Sequence, residues 1–155
     1  MEICREIALA AKEDFDPNMV VGIAKGGVIP AAIISSMLRV EFFPMRLSRR
    51  QQDVVVWDRP RILVPVAEEV RGKRVLIVDE AARSGETLRL AAGEAKKKGA
   101  RRVKTASLFV QSHSWHPTWY AFENDGTVIL PWDFEILEDG KFVIHPEYQE
   151  SLDQS

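Results

Sequence analysis

Between residues 19 and 110, short apolar runs alternate with helical stretches, and this alternation leaves the chain few architectures. Met19-Val20-Val21-Gly22-Ile23 is apolar throughout, residues 74–78 form an apolar run after Arg74, and residues 103–110 read as another strand. Such runs suit strands buried on both faces of a parallel sheet. Between them lie residues 30–39, with Ile33, Ile34, Met37 and Leu38 as an apolar face, and residues 86–98, with Leu88, Ala91, Ala92 and Ala95 at helical spacing. Pro30 suits a first helical turn, and Gly99 a helix end. Residues 40–47 read as a further strand. Residues 3–15 read as an amphipathic helix through Ile3, Ile7, Ala10, Ala11 and Phe15, ended by Asp16-Pro17-Asn18. The order strand, helix, strand predicts a three-layer α/β fold. Ligands in such sheets bind beyond the carboxyl ends of the strands. Two segments of unusual composition fall there, 24–27 and 79–87.

The second segment carries the chemistry. The 75–78 strand runs into Asp79-Glu80, then Ala81-Ala82-Arg83-Ser84-Gly85-Glu86-Thr87-Leu88. A helix that starts near Ser84 has backbone N–H groups without intrahelical acceptors, and its dipole favours an anion there. Ser84 and Thr87 add hydroxyls, and Gly85 lets a phosphate approach the backbone. Helix capping alone accounts for Ser84 and Thr87. It does not account for two adjacent acids at the end of a buried strand, where like charges repel. Paired carboxylates suit ribose hydroxyls or the hydration shell of Mg²⁺.

This segment resembles the PRPP-binding signature of the type I phosphoribosyltransferases: a hydrophobic strand, two acids, two small residues, a variable position and Ser-Gly-x-Thr. A Walker P-loop and a Rossmann Gly-x-Gly-x-x-Gly are both absent. The resemblance spans roughly residues 19–135. It implies a type I phosphoribosyltransferase-like parallel twisted sheet flanked by helices, with a small hood from the C-terminal part. One domain over 1–155 is expected, with a core at about 19–110 and a hood at about 111–155, to which the N-terminal segment contributes.

The resemblance also implies roles. Asp79 and Glu80 would hold the ribose of PRPP and bias charge at its reacting carbon. Arg83, Ser84, Gly85, Glu86 and Thr87 would bind the 5′-phosphate. Lys25, Gly26 and Gly27 would form the pyrophosphate loop, with a cis peptide at Ala24–Lys25. From the residues alone, Lys25-Gly26-Gly27 is equally a plain turn. Arg49 and Arg50 would lie in a mobile loop closing over PRPP, although residues 48–60 also read as an exposed polar loop with a short hairpin through Val54-Val55-Val56. Val128-Ile129-Leu130-Pro131-Trp132-Asp133 looks like the Pro-Trp segment of the xanthine-guanine branch. There Trp132 would stack on the base, while Gln111, Asp133 and the backbone near Trp132 would read its edge. Trp132 as a core residue is the other reading. Mg²⁺ would come with PRPP, possible ligands being Asp79 and Glu80.

Two positions depart from the purine branch. Arg83 stands where many members carry an aspartate, and an arginine cannot serve as a general base. Gln111 stands where a lysine recognises the 6-oxo group, and it brings no charge. The expected reaction is transfer of a phosphoribosyl group from PRPP to a nitrogenous base, a purine on this resemblance, with release of pyrophosphate. A PRPP- or nucleotide-binding regulator and a nucleotide phosphate-ester hydrolase on the same scaffold stay open.

The remaining composition narrows partners. Net charge is −2, which supplies no general attraction to nucleic acid or anionic lipid. The basic run Lys96-Lys97-Lys98 with Arg101-Arg102 has no interleaved aromatics and is explained by a helix C-terminus. One cysteine, Cys4, excludes an intrachain disulfide and is assigned no role. No apolar stretch marks a membrane span or a secretory signal, so a cytoplasmic protein is expected. His113 and His116 lack the further ligands a zinc site needs and are read as hood residues with Trp115, Trp119 and Tyr120. The family implies a homo-oligomer, a dimer or a tetramer. Residues after 133 read as an irregular acidic tail, and 119–122 and 128–130 as strand-like.

Overall fold

The computed structural model describes residues 1–52 and 54–154, so Asp53 of the expected mobile loop lies outside the described residues. The chain forms two compact units, Met1–Glu123 and Asn124–Ser155.

The first unit is built in the order α1 (Glu2–Asp14), β1 (Met19–Ala24), α2 (Val28–Leu38), β2 (Glu41–Ser48), a hairpin of β3 (Arg50–Gln51) and β4 (Val54–Val55), β5 (Arg61–Val64), β6 (Arg74–Ala82), α3 (Glu86–Lys97), β7 (Arg102–Val110) and β8 (Trp119–Glu123). Six strands make one sheet in the order β5-β2-β1-β6-β7-β8. Every pairing is parallel except that of β5, which runs antiparallel to β2 along an edge. The expected parallel α/β sheet flanked by helices is therefore present.

The strands that read as fully apolar are the central ones. Met19, Val20, Val21 and Ile23 of β1 and Val75, Leu76, Ile77 and Val78 of β6 are buried on both faces. α1 buries Cys4, Ile7, Ala8 and Ala11, spaced along one stripe. α3 buries Leu88, Ala91 and Ala95, and the two alanines let the helix lie close to β6 and β7. Arg39 in the left-handed region (φ 58) ends α2. Gly99 (φ 95), just past the end of α3, uses backbone freedom that other residues lack.

Several expectations are corrected. β6 does not stop before the acidic pair but continues through Asp79, Glu80 and Ala81 to Ala82, because its pairing with β7 runs on to Ala82 opposite Val110. β5 was not expected; Pro60 and Pro65 bracket its four residues and obscure the strand. The short hairpin expected within 48–60 is present, as the antiparallel pair β3–β4.

In the second unit, residues 128–130 form no strand. Leu130 is buried there without a ladder partner, and Pro131 removes a backbone donor. The acidic stretch after Asp133 is not irregular. It forms the antiparallel pair β9 (Glu135–Glu138) and β10 (Lys141–Ile144), then helix α4 (Pro146–Asp153). Asp139 (φ 48) and Gly140 (φ 76) make the tight turn between the strands. Pro146 sits in the first turn of α4, and the His145 ring accepts from the Glu147 N–H at 3.2 Å.

Ile77 lies at the centre of the sheet with no exposed surface. Ile77→Ala should cost about 2–5 kcal/mol in chemical denaturation. Val55→Ala, at a position 54% exposed, should change stability by less than about 0.5 kcal/mol.

Candidate active site

The sheet reverses its direction of growth between β1 and β6. From β1 the chain steps through α2 to β2 on one side, and from β6 through α3 to β7 on the other. The β1–β6 ladder ends at Gly22 opposite Val78. Past that point β1 stays with β2, to Ala24 opposite Arg46, and β6 stays with β7. A crevice therefore opens at the carboxyl ends, the position where such sheets hold ligands.

Residues 25–27 fill the base of this crevice. The Ala24–Lys25 peptide is cis, as the resemblance implies. The Gly27 N–H donates to the Ile23 carbonyl at 2.9 Å. A Cβ on Gly27 would lie 2.7 Å from both the Ile23 and Val78 carbonyl oxygens and 2.8 Å from Asp79 Cα. Only glycine fits between the two strands. A Cβ on Gly26 would meet the Glu80 carboxyl group itself. Lys25-Gly26-Gly27 and Asp79-Glu80, distant in sequence, are thus in direct contact.

The acidic pair is asymmetric. Asp79 Oδ1 accepts from the Glu80 N–H at 2.8 Å. Burial nevertheless lifts the Asp79 carboxyl to about 7, with the neighbouring Glu80 charge adding to the rise and the N–H bond opposing it. Two adjacent carboxylates also suit magnesium, a hard divalent cation that binds through one or two carboxylates plus substrate phosphates. Among the described residues there is no group of three or more His, Cys, Asp or Glu that could hold a metal by itself.

Beyond Ala82 the chain turns into α3. Gly85 (φ 83), not Ser84, occupies the N-cap position, and it offers no side-chain hydrogen bond to the first turn. Ser84 Oγ accepts from the Glu86 N–H at 3.3 Å. Arg83, Ser84 and Glu86 are exposed, and Thr87 is half-buried. Gly85 is buried for a reason invisible in the sequence. A Cβ there would sit 2.7 Å from the Trp115 carbonyl oxygen and 2.8 Å from Trp115 Cβ. The Trp115 N–H donates to the Ser84 carbonyl at 3.2 Å, and the Gln111 N–H to the Ala82 carbonyl at 3.0 Å. The segment after β7 is therefore laced to the 83–87 turn, which places Gln111 beside it.

Arg49 and Arg50 stand at the foot of the β3–β4 hairpin, past the carboxyl end of β2. Arg49 Nε donates to the Trp57 carbonyl at 3.2 Å, and the Arg50 N–H to Ser48 Oγ at 2.9 Å. The hairpin leaves the same edge of the sheet as the crevice loops. Arg46, which the sequence did not single out, faces Ala24 in the β1–β2 register. His113 is exposed. His116 Nε2 lies 4.0 Å from Glu123 Oε1, and the His116 ring meets Tyr120 edge-on at 5.0 Å. Cys4 is buried in α1, where burial pushes its thiol up.

Trp132 and Asp133 belong to the second unit, where both are half-buried. Asp133 Oδ1 accepts from the Tyr148 hydroxyl at 2.7 Å, and Phe134 stacks on Tyr148 at 6.2 Å. The Asp133–Tyr148 bond ties the Pro-Trp segment to α4, an element the sequence reading did not contain.

The family model of the phosphoribosyl transferase domain matches residues 1–139. The chain belongs to the phosphoribosyltransferase family. This family member is similar to the crystal structure of a purine phosphoribosyltransferase from Pyrococcus horikoshii, with a TM-score of 0.76, 28% identity, and 89% of this chain and 91% of that chain covered. A Neisseria gonorrhoeae protein with bound ppGpp aligns with a TM-score of 0.68 at 22% identity, covering 85% of this chain and 83% of that one. A hypoxanthine-guanine phosphoribosyltransferase from Bacillus anthracis aligns with a TM-score of 0.64 at 18% identity, covering 79% and 76%. These last two show likeness of fold. None of the curated proteins compared with the chain matches it. Among the described residues, no helix is long and apolar enough to cross a membrane.

The two crevice glycines should behave differently. Gly27→Ala forces backbone apart and should cost about 1–3 kcal/mol or more in thermal or chemical unfolding. Gly26→Ala displaces only the end of the Glu80 side chain and should cost less.

Asp79 should leave a pH signature. Between its ordinary value of 3.8 and about 7, the unfolded chain has lost the Asp79 proton while the folded chain keeps it. The contribution of this group to stability therefore falls as pH rises through that window and stays reduced above it. Asp79→Asn should be more stable than the parent protein at pH 8, with the difference shrinking toward pH 4 in denaturant titrations.

Proposed function

We propose that the protein transfers a 5-phosphoribosyl group from PRPP to the ring nitrogen of a base, with a purine as the favoured class. The observation that carries this reading is the packing of Glu80 on Gly26 at the sheet's switch point, beside a helix start whose N-cap, Gly85, has no side chain and where Ser84 Oγ takes the Glu86 N–H. Three recognition surfaces for PRPP then adjoin: acids for the sugar and an anion-binding loop on either side. The purine class rests on the 28% identical Pyrococcus horikoshii enzyme, which covers most of both chains.

In this reading the 5′-phosphate lies at the start of α3, held by the amides of the first turn, Ser84, Thr87 and the Arg83 charge. Asp79 and Glu80 accept from the ribose hydroxyls. As the bond between the ribose carbon and pyrophosphate breaks, positive charge builds on the ribose, and an ionised Asp79–Glu80 pair stabilises it. Lys25 and the amides of Gly26 and Gly27 bind the departing pyrophosphate. The base nitrogen forms the new bond to the same carbon, its proton leaving with the pyrophosphate, and Gln111 lies at the base's edge. Asp79 and Glu80 are the residues that would contact the shell of a magnesium ion, which would supply charge neutralisation on the pyrophosphate. The β3–β4 hairpin with Arg49 and Arg50 closes over PRPP and excludes water. The cytoplasmic location belongs to the same proposal.

A second reading, a nucleotide-binding regulator without transfer, is favoured by one observation. Arg83 is an exposed permanent cation in the 83–87 turn, so no proton acceptor stands at that position.

The deciding measurement is pyrophosphate release with PRPP, Mg²⁺ and a panel of bases. Turnover with a purine is expected, and Gly26→Ala should weaken PRPP binding at least tenfold while the protein stays folded. PRPP binding without turnover for any base would favour the regulator. Phosphate release from nucleotides without PRPP would mean a hydrolase. Arg83→Ala should selectively impair acceptors that carry an anionic group; unchanged selectivity would remove Arg83 from acceptor recognition.

A further inference from the structure

The outer face of α1 is ordered in a way that packing within the chain does not require. The helix buries Cys4, Ile7, Ala8 and Ala11 and leaves Glu2, Arg5, Glu6, Leu9, Lys12 and Glu13 exposed as one stripe. Leu9 is 60% exposed in the middle of that stripe. Met37, 37% exposed, and Leu38, from the last turn of α2, line the same shallow depression as Arg5, Leu9 and Lys12. A single exposed leucine calls for no explanation. The order of charges around it does.

When two α1 helices are laid antiparallel with a two-fold axis through Leu9, Lys12 faces the second copy's Glu6, and Glu13 faces the second copy's Arg5. The symmetry repeats both pairs, so four opposite-charge contacts flank a Leu9–Leu9 contact at the axis. A parallel arrangement would instead set Arg5 against Arg5 and Glu6 against Glu6. We propose that this face closes on a second copy of the same chain as a two-fold, isologous interface, with α1 antiparallel to α1.

Burial of Leu9, Met37 and Leu38 supplies the attraction. The exposed ion pairs add little energy each but fix the orientation and reject the parallel register. Lys12 already pairs with Asp16 in the isolated chain, and the second copy's Glu6 joins that pair. The face lies on the helix layer and carries none of the residues assigned to the PRPP site, so the interface stands or falls independently of the transfer reaction.

Analytical ultracentrifugation of the full chain over a range of concentrations tests this. The parent protein should shift from one to two chain masses as concentration rises. Leu9→Glu should remain at one chain mass throughout, with circular dichroism and melting midpoint unchanged. Arg5→Glu with Glu6→Lys in one chain, and Lys12→Glu with Glu13→Lys in another, should each be monomeric alone and should associate one-to-one when mixed. A parent protein that stays monomeric, a Leu9→Glu protein that associates as before, swapped chains that still self-associate, or a mixture that fails to associate would each overturn the proposal.

Discussion

The site depends on how closely the backbone of residues 25–27 approaches β6. Past Gly22 and Val78 the two central strands have no ladder between them, and buried carbonyls would be left facing empty space. Gly27 enters that gap and binds the Ile23 carbonyl. Gly26 then lies against the Glu80 carboxyl group. Absence of two Cβ atoms allows a loop that would receive one anionic group to rest on the carboxylate that would receive the sugar. The same closeness crowds Asp79, whose carboxyl burial lifts from its ordinary value to about 7.

The other wall of the crevice is held by backbone contacts. Ala82 and Ser84 offer carbonyls to Gln111 and Trp115, and Trp115 lies over Gly85. The turn before α3 is thus fixed from the strand that follows it in sequence. A loop that has to present N–H groups to an anion gains from such support, since amides already held in place need not be ordered when the ligand arrives.

Most of the sheet was legible because β1 is apolar throughout, β6 carries the unbroken apolar run Val75–Val78, and the helices repeat with a clear period. The acidic pair stood out because two like charges are out of place at the end of a buried strand, whereas residues 25–27 alone read equally as a plain turn and Ser84 and Thr87 as ordinary capping residues. What escaped notice had weaker local signals. β5 has only four residues between prolines. The β9–β10 hairpin alternates over just four residues on each side, with Glu135, Glu138 and Lys141 masking the apolar positions, although Asp139-Gly140 is a recognisable hairpin turn. The extension of β6 through Asp79 and Glu80 is a tertiary effect, since β7 supplies the partner. No sequence signal marks Trp115 as the cover of Gly85, because the contact joins two loops. The N-cap fell on Gly85 and not Ser84 because the turn requires a positive φ there.

The prolines around β5 have a further consequence. An outermost strand exposes unpaired amides and carbonyls, a ready template on which another polypeptide can stack and seed aggregates. Here Leu63 and Val64 of β5 face solvent, which would make such stacking attractive. Pro60 and Pro65 deny the strand a donor at either end and keep it to four residues. The chain so guards one flank of its sheet against runaway polymerisation, using covalent rings and no additional layer of protein.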